Sequence, residues 1–238
     1  MILKDKVAIV TGASRGIGKA IALLFSKEGA KISAVARTEE DLKKLKTEIE
    51  LSGGECIIFK GDVSREEDVK KVVQGTADKF GRIDILVNNA GFGIYKPVLE
   101  LTTEEFDSMV AVNFRGVFLF TKYVLPYMMK QNSGVIINIS SIAGTLGVKN
   151  MAVYSATKWA VNGFTESIMH EVREFNIRVA SLCPGSVDTN FSNVAGSNPP
   201  ARDKVLKPED VAQTALLIAT LPERAMLSHL ILRPTNPR

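Results

Sequence analysis

The chain has 238 residues, 45% of them hydrophobic and 24% charged, which suits one globular domain with a sizeable core. No apolar run reaches the roughly 18–20 residues of a bilayer crossing before charge, Gly or Pro breaks it, so a transmembrane helix and a membrane partner are excluded. The net charge of +4 comes from Lys and Arg interleaved with Asp and Glu, without the long basic run that nucleic acid binding would want.

The opening stretch Met1 to Lys6 holds too brief an apolar patch for a secretory signal, which makes the cytoplasm the expected location. Cys56 and Cys183 lie far apart in apolar surroundings and are expected to pack as small hydrophobes. His170 and His229 lack Cys or carboxylate companions at ligand spacing, so no metal site is expected.

Short runs rich in Val, Ile and Ala alternate with longer amphipathic segments. Residues 6–10 read as a strand, 16–28 as a helix, 31–36 as a strand, 39–51 as a helix, 56–60 as a strand and 65–80 as a helix. The rhythm continues with a strand over 83–88, a long helix over 103–130 interrupted near Asn113, a strand over 135–140, a helix over 153–175 and a strand over 177–183. A last helix over 208–220 precedes a strand over 230–232. Such alternation requires right-handed crossovers, and it predicts an α/β fold: one doubly wound parallel sheet, helices on both faces, in a single domain over residues 1–238. Asn190 to Lys207, with its Ser, Asn, Gly and Pro content, is the one long irregular segment and a candidate substrate lid.

Directly after the first strand comes Thr11-Gly12-Ala13-Ser14-Arg15-Gly16-Ile17-Gly18, opening a helix. Glycines at 12, 16 and 18 let the backbone turn and approach a pyrophosphate, which the exposed N–H groups and dipole of that helix favour. Strand, glycine turn and helix together point to a dinucleotide site. The second strand ends Val35-Ala36-Arg37-Thr38, without the acid that would bind a ribose 2′-hydroxyl. Arg37 and Arg15 instead offer two cations to a 2′-phosphate, which favours NADP(H) over NAD(H). Asp62-Val63 either holds the adenine amino group or caps the following helix.

Tyr154 and Lys158 are four apart in a helical segment and therefore share a face. Ser141 follows a buried strand, and Asn113 breaks the preceding long helix. Together with Asn88-Asn89-Ala90-Gly91 and Pro184-Gly185, in this order, these residues resemble the short-chain dehydrogenase/reductase family from residue 5 to about 220. The resemblance implies a Rossmann domain with seven parallel strands, NAD(P)(H) as cosubstrate, and oxidation or reduction at an alcohol or carbonyl carbon. It makes Tyr154 the acid/base, Lys158 its activator and a ribose ligand, Ser141 a holder of the substrate oxygen and Asn113 the anchor of a proton-relaying water. It also places Asn89, Ala90 and Gly91 beside the cofactor and makes Pro184, Gly185, Val187 and Thr189 line the nicotinamide site.

Bringing a phenol from a pKa of about 10 to about 7 takes roughly 4 kcal/mol. An ammonium about 4 Å away supplies energy of that order, so Lys158 alone is expected nearly to suffice. Specificity is expected from Ile142, Ala143, Gly144 and Leu146, from Gly93 to Lys96, and from the loop after Gly185. These positions are mostly small or apolar, a permissive pocket for small ketones or 3-oxo compounds. The end of the chain, Leu230 to Thr235, departs from the glycine-rich turn of 3-oxoacyl-acyl-carrier-protein reductases and looks more like broad-range NADP-dependent 3-hydroxy acid and serine dehydrogenases. The carrier-protein reductase stays open as an alternative, as does a non-catalytic NADP-binding sensor or scaffold. Relatives form homo-tetramers or dimers by pairing the long helices, and the apolar length from Phe114 to Met129 fits this. Trp159 is read as filling a core or subunit contact, and Ser140 as a spacer.

Overall fold

Seven short runs rich in Val, Ile and Ala pair in parallel, the inner ones covered by helices on both faces and the last, at one edge, partly open to solvent. In the computed structural model, which describes residues 1–196 and 204–235, the strands are β1 (Val7–Thr11), β2 (Lys31–Ala36), β3 (Cys56–Lys60), β4 (Ile85–Asn88), β5 (Gly134–Ile139), β6 (Ile177–Pro184) and β7 (His229–Leu232). Their order is β3-β2-β1-β4-β5-β6-β7, every pair parallel. β1, β4 and β5 are buried along their whole length, as strands covered on both faces must be.

Alternate residues face two separate cores. Ala8, Val10, Ile32, Ala34, Val87 and Ile137 pack with α1 (Gly16–Lys27), α2 (Glu39–Leu51) and α8 (Pro208–Thr220) through Phe25, Leu45 and Val211. Ile9, Val35, Leu86 and Ile136 face the other way, onto α3 (Glu66–Phe80), α5 (Gly116–Gln131) and α6 (Ala152–Val172) through Val73, Phe120 and Val172. The chain runs outward from β1 to β3 and then returns to β4, so the strand order reverses beside β1. That reversal opens a crevice at the carboxyl ends of the strands, where open sheets of this kind hold ligands.

The interrupted long helix is α4 (Thr103–Val110) and α5, joined through right-handed helical backbone by a π turn over Ala111–Arg115. Thr102 and Glu105 start α4 with a reciprocal capping box. α6 stops at Val172, earlier than its apolar pattern suggests, because the chain tightens into a 3₁₀ turn over Arg173–Phe175 and Asn176 takes a left-handed φ of 55°. β4 starts at Ile85 because Ile83 and Asp84 are occupied otherwise: the Asp84 carboxylate accepts from the Val7 N–H (2.9 Å) and from Arg82 (2.6 and 2.8 Å). The segment expected as a lid contains a short helix, α7 (Phe191–Ala195), that the composition does not announce. It is followed at Leu206 by a parallel bridge to Val187, and its residues 197–203 lie outside the described residues. No helix among the described residues is long and apolar enough to cross a membrane.

Candidate active site

A continuous cleft of about 970 Å³ runs along the carboxyl ends of the strands. It is lined by every residue expected at the cofactor except Gly18, which lies beneath it, and by Ser141, Tyr154 and Lys158 of the expected catalytic set. Asn113 lies behind the wall.

At one end the chain leaves β1 and turns on Gly12 and Gly16, whose φ angles are +63° and +55°. Gly18 allows the closest approach: a Cβ there would stand 2.3 Å from the Gly12 carbonyl oxygen and 2.4 Å from Asn89 Nδ2. Asn89 Nδ2 donates to the carbonyls of Thr11 (2.9 Å) and Gly12 (3.2 Å), while Thr11 Oγ1 accepts from the N–H groups of Asn89 (2.9 Å) and Ala90 (3.0 Å). Asn89 and Ala90 therefore brace the glycine loop, a role beyond their expected place beside a cofactor, and Thr11 is a structural residue of the site that no spacing rule marks. The first turn of α1 has no acidic residue and no side-chain cap, so its N–H groups face the cleft uncompensated. A bare helix N-terminus behind a loop with no room for a side chain at Gly12 or Gly18 fits a pyrophosphate.

Arg15 and Arg37 stand exposed on the rim of this end, with Thr38 beside them, and neither arginine forms a salt bridge among the described residues. Asp62 does not cap α3. Its carboxylate accepts from Ser64 Oγ (2.7 Å) and from the Ser64 N–H (2.9 Å), closing a turn. Burial works to raise its pKa, but the Ser64 hydrogen bonds and the charges of Arg37 and Arg65 outweigh it and hold the group below the usual carboxylate value. Val63 packs against Gly116 of α5, where a Cβ would come within 2.9 Å of it.

At the other end β5 delivers Ser141 and α6 delivers Tyr154 and Lys158. Both α6 side chains are almost wholly buried. Burial pushes the Tyr154 phenol up to about 12, and the hydrogen bond with the neighbouring Ser141 hydroxyl pulls the other way. Burial brings Lys158 down to about 8. The Lys158 ammonium donates to the Ile139 carbonyl at 2.9 Å and lies 5.9 Å from the centre of the Tyr154 ring. The expectation that this ammonium draws the phenol down toward neutrality is therefore corrected. Desolvation disfavours charge on both partners, and the lysine is anchored to backbone rather than aimed at the phenol oxygen.

Asn113 sits in the π turn, fully buried, with both N–H donors of its carboxamide taken: one by the Phe92 carbonyl (2.8 Å), one by Thr157 Oγ1 (3.1 Å). Its Oδ1 accepts from the Phe92 N–H at 3.0 Å. A water held by Asn113 would thus rest on carbonyl oxygen. What these bonds do is pin the loop after β4 to α6. Ser140 is more than a spacer, since its Oγ donates to the Lys158 carbonyl (3.1 Å), and Asn162 Nδ2 donates to the Gly144 carbonyl (2.9 Å). Together they fasten the Ser141 loop to the helix that carries Tyr154. Cys183, at the end of β6, donates to Asn162 Oδ1 at 3.6 Å, and burial raises its thiol above the usual value, which keeps it protonated.

Beyond Tyr154 much of the lining is apolar, although Asp188, Asn190 and Ser192 also reach the cleft on the segment around Phe191. Ile142, Ala143, Phe92, Tyr95, Val148, Met151 and Phe191 contribute to it, and Gly185 is held by a bond from its N–H to the Leu232 carbonyl (2.8 Å). Of the positions expected to set specificity, Gly93, Ile94, Lys96, Gly144 and Leu146 do not line the cleft: Leu146 is exposed and Lys96 pairs with Glu105. Phe92, Val148 and Met151 join the lining unannounced, because nothing in their local sequence distinguishes a cleft residue from a core one, whereas Phe191 comes from the segment expected as a lid. Trp159 projects outside the cleft. Among the described residues no cluster of His, Cys, Asp and Glu has the make-up of a metal site.

The buried lysine has a consequence for stability. Below pH 8 Lys158 is charged in both the folded and the unfolded chain, and the fold bears the full desolvation penalty. Between about 8 and the ordinary value of 10.5 the unfolded chain alone keeps the proton, so the penalty fades and stability rises with pH. Lys158→Met is expected to stabilise the protein at pH 7 by ~2–3 kcal/mol and to remove that rise, as read by denaturation midpoints at pH 7 and 10 without added nucleotide. A variant less stable than the parent at pH 7 contradicts this.

Comparison with known proteins agrees with the geometry. The model of the short chain dehydrogenase family matches residues 6–199. An uncharacterized oxidoreductase of Staphylococcus aureus is 37% identical over 233 residues, covering 98% of this chain and 99% of the relative. A metagenomic short-chain oxidoreductase solved with NADP superposes with a TM-score of 0.88 at 35% identity over 99% of both chains. An alcohol dehydrogenase from the archaeon Thermococcus sibiricus, complexed with 5-hydroxy-NADP, superposes at 0.91 with 33% identity over 98% of both. An NAD+-bound xylitol dehydrogenase also superposes, at 0.89 with 28% identity over 98% of this chain and 99% of that one. With its seven-stranded parallel sheet, its glycine-cradled crevice and this match over most of its length, the chain belongs to the short-chain dehydrogenase family of oxidoreductases.

Proposed function

We propose that this single-domain oxidoreductase interconverts a ketone and a secondary alcohol, with NADP(H) as cosubstrate and Tyr154 as the acid/base. The observation that carries the reading is the buried Tyr154 phenol beside the Ser141 hydroxyl, at the far end of the cleft that begins in the glycine cradle. The nicotinamide supplies or accepts the hydride when bound. Gly12, Ser14, Gly16 and Ile17 at the start of α1 would hold its pyrophosphate, and Asp62 and Val63 the adenine. Asn89 to Gly91, Pro184, Gly185, Val187 and Thr189 would flank the nicotinamide half, with Lys158 at its ribose.

In the reduction direction the Tyr154 O–H bond breaks and its proton goes to the carbonyl oxygen, leaving a phenolate. The Ser141 hydroxyl donates a hydrogen bond to the negative charge that develops on that oxygen. The Lys158 ammonium, the buried cation on the same face of α6, offsets the charge of the phenolate until a proton returns. Oxidation runs the same transfers in reverse, from the alcohol O–H to the phenolate. Exposed apolar side chains on the long helices, Phe106, Phe118 and Trp159, support pairing of two copies there.

Tyr154→Phe keeps the ring and removes the proton. It is expected to lower turnover roughly 10²–10⁴-fold while NADPH affinity stays within a few-fold, measured by steady-state kinetics and nucleotide titration. Near-normal turnover would defeat the assignment. For the cofactor, Arg37→Ala is expected to lower kcat/KM for NADPH about 10–100-fold and to leave that for NADH nearly unchanged. An equal loss with both nucleotides would remove Arg37 from the phosphate site.

A further inference from the structure

The three aromatic rings around the reacting end form a closed set. Tyr95 meets Tyr154 edge to face at 5.6 Å between ring centres, Phe191 meets Tyr154 at 5.7 Å, and Tyr95 and Phe191 are 6.4 Å apart. Tyr95 folds back over Tyr154 because Gly93 leaves room beneath it: a Cβ at Gly93 would stand 2.7 Å from Tyr95 Cε1 and 3.3 Å from Tyr154 Cδ2. Phe191 is held opposite by α7, which is tied to the Tyr95 backbone through the bond from the Tyr95 N–H to the Ala195 carbonyl at 2.9 Å. Two aromatic walls on separate segments are thus linked to each other and to the catalytic ring. Phe92, Ala143, Val148 and Met151 complete an apolar cluster around them.

The charge pattern is equally specific. Among the described lining residues, Arg15, Lys19 and Arg37 belong to the glycine-loop end, and at the reacting end the only cation is Lys158, already committed to the Ile139 carbonyl. A substrate carboxylate entering there would lose its hydration without gaining a cationic partner among the described residues. Flat apolar groups, by contrast, gain edge and face contacts from rings already held in place.

Resting on the ketone reductase reading above, we infer that the substrate is an uncharged ketone or secondary alcohol carrying an aromatic ring, and that Tyr95, with Phe191, determines this specificity by packing against that ring. This narrows the permissive pocket for small ketones or 3-oxo compounds that the sequence implied. The test compares three methyl ketones with the same carbonyl surroundings: 4-phenyl-2-butanone, 2-decanone and 4-oxopentanoate. The expected kcat/KM for the phenyl ketone exceeds that for 2-decanone about tenfold or more and that for the keto acid by a larger factor. Tyr95→Ala brings the phenyl-to-alkyl ratio within about twofold, chiefly through KM, and Tyr95→Phe preserves it. A ratio near one in the parent enzyme, or one unmoved by Tyr95→Ala, overturns the inference and leaves the ketone reductase reading intact. Binding separates the two claims: in titrations of the NADP-loaded protein, 4-phenyl-2-butanol is expected to bind about tenfold more tightly than 2-decanol. Such binding without turnover of any ketone supports the aromatic site and refutes the reductase reading, while equal or absent binding of both alcohols overturns the inference.

Discussion

The site depends on the removal of Tyr154 and Lys158 from water. One turn of helix apart on α6, both side chains are buried against the end of β5, and burial acts on each in the same sense, against its charged form. The phenol keeps its proton and the amine holds its own less firmly than a surface lysine. On the reading proposed above, a protonated phenol next to the Ser141 hydroxyl would serve as the proton donor, and a destabilised ammonium gains most when negative charge appears nearby. The same burial that destabilises the fold around Lys158 would set up the proposed chemistry.

Such a pair is useful only if its surroundings do not yield. The neighbouring polar groups are spent on holding loops in place. Asn113 joins the loop after β4 to α6, Ser140 and Asn162 join the loop after β5 to the same helix, and Thr11 with Asn89 joins the glycine turn to β4. Every one of these bonds crosses between segments far apart in the chain. These bonds tie the glycine turn to β4 at one end of the cleft and the Ser141 loop to α6 at the other.

Much of this is legible in the amino-acid sequence. Strand and helix alternation is written in the spacing of Val, Ile and Ala, and β2, α2, β3 and α8 begin and end where the pattern places them. The glycine turn is legible because glycine favours the left-handed conformations of Gly12 and Gly16, and at Gly12 a Cβ would also stand 2.9 Å from the Ala90 backbone. The break near Asn113 is visible, but its form as a π turn is not, since periodicity averages over a single widened turn. The aromatic wall is illegible for a different reason: Tyr95 and Phe191 are almost a hundred residues apart, and only the fold brings their rings together. Electrostatics is misleading at the level of sequence because Coulomb attraction needs only a spacing, whereas desolvation needs the burial that tertiary packing creates.

The most direct test of the account is an ultraviolet titration of the phenol itself. The protein has four tyrosines, and the difference between the parent and Tyr154→Phe isolates one of them. Without added nucleotide the Tyr154 phenolate signal is expected to stay absent through neutral pH and to emerge only on the approach to about 12. Half-ionisation of that phenol near pH 7 would show that burial does not govern the site and would contradict the account.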